Sequence, residues 1–207
     1  MHLDLWFPTP AYHISVTNHK ELNTSFIKHI KKWRKKDAGI QKTNSGGWHS
    51  QTDMHTKEEF KPLVKELQAM QEVICREEGY TKPMFIGNMW ANINYPGCFN
   101  RSHLHPNCAW SGVYYIQAPK DCGNLYIEDP RHGGNMFLPK QIPIRKIPPR
   151  LWRQVRYRPI EGKLIVFPAF LNHHVGVNYS KKKGEKGWRI SVSFNLVQYA
   201  GAITGGI

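Results

Sequence analysis

The chain has 207 residues, 40% hydrophobic and 12% aromatic, enough to bury a sizeable core without disulfide staples and too apolar for a disordered chain. Cys75, Cys98, Cys108 and Cys122 form no Cys-x-x-Cys pair, which excludes a zinc ribbon and leaves reduced structural thiols. Lys+Arg of 29 against Asp+Glu of 15 gives a net charge of +14, a long-range field that suits a nucleic acid, an acidic protein or an anionic small substrate.

The start, Met1-His2-Leu3-Asp4-Leu5-Trp6, lacks the basic stretch followed by an apolar one that marks a signal peptide, and no apolar run reaches membrane-spanning length. A soluble cytoplasmic chain of one domain, residues 1–207, is expected, with no membrane partner. Leu22, Phe26, Ile30 and Trp33 are spaced by four, four and three, which predicts a helix, with Asn18 and Glu21 as a capping box. Its opposite face carries Lys28, Lys31, Lys32, Arg34, Lys35 and Lys36. Leu63, Val64, Leu67, Met70 and Ile74 predict a second helix that begins near Pro62 and stops at Gly79, entered through an irregular stretch from Thr56 to Lys61. Residues 1–83 thus read as helical cladding with a strand or two.

From Met84 the pattern changes to short segments punctuated by Pro and Gly: Met84–Asn94, Ser111–Ala118, Asn124–Glu128, Lys163–Phe167, His174–Val177 and Trp188–Val197. Short strands without intervening helices predict an antiparallel sandwich or barrel over 84–207. Residues 131–160 are Pro-rich and aperiodic, with eight Lys or Arg and no Asp or Glu. They predict a basic loop insertion of the kind that serves as a substrate lid.

The chemistry concentrates in His103-Leu104-His105 and in His173. Residues two apart on a strand share a face, so His103 and His105 can present two imidazoles to one ion, and a third histidine from a distant strand completes a facial set. On Trp188–Val197, Arg189, Ser191, Ser193 and Asn195 share one face and Ile190, Val192, Phe194 and Leu196 the other. A polar face turned inward implies a polar guest. Arg189 flanked by hydroxyls suits a carboxylate, whose two oxygens match the guanidinium fork. One of Tyr114 and Tyr115 must also point inward. Trp90, Trp110 and Phe194 are expected in the core.

The ordered set Trp90-Ala91-Asn92, His103-Leu104-His105-Pro106, Ser111-Gly112-Val113-Tyr114-Tyr115, Glu128-Asp129-Pro130-Arg131, Gly162 to Pro168, His173 and Arg189 to Asn195 resembles the iron(II)- and 2-oxoglutarate-dependent dioxygenases, and within them a bacterial and phage subgroup. The resemblance covers roughly residues 84–198. It implies a mainly β fold with N-terminal helices around a double-stranded β-helix, a cupin-like jelly roll. The cofactors it implies are Fe(II) and 2-oxoglutarate, with O2 and a second substrate as partners. It further implies His103 and His173 as iron ligands, Arg189 as partner of the cosubstrate's far carboxylate, and Ser191 and Tyr115 as its hydrogen-bonding neighbours. The activity implied is decarboxylation of 2-oxoglutarate to succinate and CO2 coupled to hydroxylation of the substrate.

One position departs from that pattern: the usual carboxylate ligand is His105. Three imidazoles suit iron as they suit zinc, copper or nickel, but they leave the full charge on the ion. Glu128 or Asp129 could supply a carboxylate from another strand, and His174 competes with His173. Two other readings stand beside this one. A cupin with three histidines would use no 2-oxoglutarate and has no general need of Arg189. A basic nucleic-acid-binding module on an inactive barrel would need no metal.

Overall fold

In a computed structural model of the protein, residues 1–131 and 147–198 are described. The strands are β1 (Tyr12–Ser15), β2 (Asn44–Ser45), β3 (Trp48–His49), β4 (Phe85–Asn94), β5 (Phe99–His103), β6 (Trp110–Gln117), β7 (Leu125–Glu128), β8 (Gln154–Tyr157), β9 (Lys163–Pro168), β10 (His173–Val175) and β11 (Arg189–Val197). Two helices, α1 (His19–Lys36) and α2 (Lys61–Glu77), precede β4. The strands form two antiparallel sheets, a major one ordered β1-β9-β6-β11-β4-β3 and a minor one ordered β2-β5-β10-β7-β8. No described helix is long and apolar enough to cross a membrane.

Alternation along β11 organises the molecule. Ile190, Val192, Phe194 and Leu196 join Phe26 and Ile30 of α1 and Leu63, Leu67, Met70 and Ile74 of α2 in one continuous core on the outer face of the major sheet. Each such side chain, fully buried, contributes about 1.5–3 kcal/mol through removal from water. A smaller apolar cluster lies between the sheets, built from Val113, Tyr115, Leu125, Ile127, Ile165, Phe167 and Leu171. Tyr114 takes the helix side, where its hydroxyl donates to Asn23 Oδ1 at 2.8 Å, and Tyr115 takes the inner side, as strand alternation requires.

Gly112 sits where β6 runs between β9 and β11. A Cβ there would lie 2.3 Å from Phe194 Cζ and 2.8 Å from the Ile165 carbonyl oxygen. Gly112→Ala is therefore expected to cost about 1–3 kcal/mol by overpacking, read as a lower urea midpoint at unchanged m-value. An unshifted midpoint would show that this strand crossing can relax.

Several expectations are corrected in detail. Asn18 precedes α1 without a side-chain capping bond, because its backbone (φ −94, ψ 23) is not extended. His19 instead ties the helix start to Val16, Nδ1 lying 2.8 Å from its carbonyl. The entry to α2 consists of two short 3-10 turns, Met54–Thr56 and Glu58–Phe60, and Gly79 (φ +68) ends the helix region. The first 83 residues contribute β1, β2 and β3 as well as helices. The 131–160 stretch is not wholly loop: Gln154–Tyr157 is β8, paired with β7. Of its basic residues, Lys140, Arg145 and Lys146 lie outside the described residues.

Candidate metal centre

The open end of the sandwich holds a cavity of about 250 Å³. His103 ends β5 and is the cross-strand partner of His173, which begins β10, so the ladder itself places the two imidazoles side by side. His105 follows beyond the strand end, held by its backbone N–H to the Ala169 carbonyl at 3.0 Å. The ring centroids are 4.3 Å apart for His103 and His173, 5.0 Å for His103 and His105, and 5.1 Å for His105 and His173. One ring nitrogen from each falls within 4.8 Å of the others, close enough to share an ion.

Two of the rings have fixed tautomers. His103 Nδ1 lies 2.7 Å from the Arg101 carbonyl and His173 Nδ1 2.9 Å from that of Leu171. A carbonyl only accepts, so each Nδ1 carries the hydrogen and each Nε2 keeps its lone pair for an ion. Burial and neighbouring imidazoles push His105 down to about 3 and His173 to about 4, and burial lowers His103 as well. The rings are neutral at pH 7, the state a metal requires. Three neutral imidazoles in a site with open positions fit a divalent first-row ion such as iron(II).

The other candidates point elsewhere. Glu128 accepts a hydrogen bond from Ser102 Oγ at 3.0 Å and faces His174 Nδ1 at 3.6 Å on the outer side of the minor sheet. Asp129 pairs with Arg131 at 2.7 Å. His174 stacks on Tyr126 with centroids 4.8 Å apart. Neither carboxylate joins the three histidines.

Arg189 is 1% exposed. Its Nη1 donates to the carbonyls of Cys122 and Gly123, at 2.9 and 3.3 Å, and among the described residues no carboxylate pairs with it. It lines the same cavity as the histidines, with Ser191 and Tyr115, themselves cross-strand partners, beside it. Gly123 (φ +89) permits this approach, since a Cβ there would sit 3.0 Å from Arg189 Nη1 and 2.1 Å from the Gly176 carbonyl oxygen.

The far wall contains residues that the sequence reading did not assign to the site. His49, 5% exposed, stacks on Trp90 at 5.4 Å and 10°, and Trp90 in turn tilts against His105 at 5.8 Å. Trp90 is thus a cavity wall, whereas Trp110 and Phe194 are core as expected. Lys42, Thr52, Asn88 and Asn92 complete this side, and among the described residues no Asp or Glu lines the cavity.

A family model described as "Putative 2OG-Fe(II) oxygenase" matches residues 88–195, while no curated protein matches by sequence. Among solved structures, a Pseudomonas putida prolyl-4-hydroxylase aligns with TM-score 0.65 and 13% identity over 92% of this chain and 94% of that one. The 2-oxoglutarate-dependent epimerase SnoN of nogalamycin biosynthesis aligns with TM-score 0.67 and 12% identity, over 96% and 85%. HygX from Streptomyces hygroscopicus, with nickel and 2-oxoglutarate bound, aligns with TM-score 0.62 and 9% identity, over 92% and 85%. These likenesses fix the fold as the double-stranded β-helix of that superfamily, and the family match, which spans just over half of the sequence, states the rest: the chain belongs to the 2OG-Fe(II) oxygenases.

Proposed function

We propose that His103, His105 and His173 hold Fe(II), that Arg189 with Ser191 and Tyr115 receives the far carboxylate of 2-oxoglutarate, and that the His49–Trp90 side of the cavity receives a substrate for hydroxylation. The observation that carries this reading is the buried Arg189 charge. A guanidinium out of water that donates to backbone carbonyls and pairs with no carboxylate among the described residues is costly unless an anion completes it, and the cavity it borders is the one the histidines open into. A cupin using no 2-oxoglutarate leaves that charge without a purpose.

Bound iron and 2-oxoglutarate would supply the oxidising equivalent, through decarboxylation of the cosubstrate with O2. The chain's own part is placement. Nδ1–H bonds to Arg101 and Leu171 aim two imidazoles at one point. Arg189 would hold the far carboxylate of the cosubstrate and so set its direction. Val113, Leu125, Phe167 and Val175 line its path with apolar surface and exclude water.

On the substrate side, the described residues Lys42, neutral His49, Asn88, Asn92 and Thr52 offer one cation and several amide and hydroxyl groups, with no carboxylate among them. His49 Nδ1 is bonded to the Ser50 carbonyl at 2.7 Å, so its Nε2 is an acceptor. Such a wall favours a polar, anionic substrate over a cationic one.

Anaerobic titration of Fe(II)-loaded protein with 2-oxoglutarate tests the reading. A weak visible charge-transfer band that saturates with cosubstrate is expected. Iron binding without any band would favour the cupin alternative.

A further inference from the structure

His105 differs from the other two histidines: among the described residues no carbonyl accepts from its ring. Its Nδ1 lies 3.4 Å from Asn195 Nδ2, and that same amide nitrogen donates to Asn88 Oδ1 at 2.8 Å. Asn195 is 3% exposed, and its Oδ1 is buried without a hydrogen-bond partner. In this arrangement Asn195 offers His105 a donor, which suits an imidazole whose Nδ1 holds a lone pair and whose hydrogen sits on Nε2. That tautomer cannot ligate an ion through Nε2.

We propose that Asn195 is the positioning residue of the third ligand: on metal binding its side-chain amide turns by half a revolution and presents Oδ1 to His105 Nδ1–H, releasing the Nε2 lone pair to the ion. The inference rests on the reading of the three histidines as metal ligands. An amide's oxygen and nitrogen are nearly equal in shape, so the turn needs no repacking. Asn88 turns with it, its Nδ2 donating where its Oδ1 had accepted. The buried partnerless atom changes from oxygen to nitrogen, a cost that the ion–imidazole bond offsets. The backbone need not move, because Asn195 on β11 is locked between Asn88 on β4 and Ser111 on β6. The arrangement belongs specifically to a histidine at this position, since a carboxylate ligand has no tautomer to select.

The test is Zn(II) binding to full-length protein by calorimetry, with nitrogen-15 NMR of the histidine rings. Wild type should bind Zn(II) and show His105 protonated on Nδ1. Asn195→Leu, which removes the acceptor, should bind about 10–100-fold more weakly, the usual loss for a group that supports a metal-ligating imidazole. Asn195→Asp, with oxygen on both sides, should restore affinity to within about threefold of wild type, and it covers the case in which the leucine variant folds poorly. Equal affinity in Asn195→Leu, or equal loss in both variants, would overturn the proposal while leaving the metal site intact. Absence of Zn(II) binding by wild type would instead overturn the three-histidine reading, and this inference with it.

Discussion

Arg189→Met is expected to weaken 2-oxoglutarate binding by two to three orders of magnitude while leaving metal affinity near that of wild type. The guanidinium is buried and pairs with no acid among the described residues. Breaking one side of a buried charge pair costs about 3–5 kcal/mol, and about 1.4 kcal/mol corresponds to a factor of ten in binding. The same substitution should stabilise the ligand-free protein, by about 1–2 kcal/mol, since an uncompensated buried cation is replaced by an apolar chain of similar length. The carbonyls of Cys122 and Gly123 lose their donor in the variant, which keeps the gain small. Two measurements decide the matter: cosubstrate titration of the metal-loaded variant, and urea unfolding of the ligand-free one. Loss of binding with a gain in stability marks a residue kept for function at a structural cost. Unchanged cosubstrate affinity would remove Arg189 from the site, and loss of both properties would make it a structural residue.

The sequence revealed what depends on local periodicity. Alternation on β11 separates Arg189, Ser191, Ser193 and Asn195 from the apolar residues that meet α1 and α2, and both faces fall where that alternation predicts. The two helices show through their 3.6-residue spacing. The pairing of His103 with His173 across β5 and β10 was suggested only by the joint motif, since His173 and His174 are equivalent in composition and differ only in which side of a three-residue strand they take. Short strands set by tertiary contact were not legible: β2 and β3 are two residues each, too brief for any pattern. His49 enters the cavity through β3, so no periodicity in the sequence marks it. Trp90 was expected in the core because an indole in an apolar strand usually is, but its register opposite Ser193 puts it on the inner face. Asn195 was visible on the polar face of β11, yet nothing in the sequence tied it to His105, because that contact spans 90 residues.

The metal-free protein should lose several kcal/mol of stability between pH 7 and pH 5, and His105 and His173 should account for most of it. In the folded chain these imidazoles are held near 3 and 4 against an ordinary 6.5, by burial first and by their neighbours' charge second. The unfolded chain takes up protons as the pH falls through about 6.5, whereas the folded one does not until about 4. Their contribution is therefore fully present above 6.5 and lost as the pH falls toward the folded values. At pH 5 each histidine costs about 2 kcal/mol. Denaturant midpoints at the two pH values, measured with a chelator present, check the size of the fall, and His105→Leu should remove roughly half of it. The same depression predicts that protons compete less for the ligands, so metal affinity should fall less from pH 7 to pH 5 than it would for three ordinary histidines. Equal stability at the two pH values, or a steep loss of affinity below pH 6.5, would mean that the cluster opens and hydrates in solution.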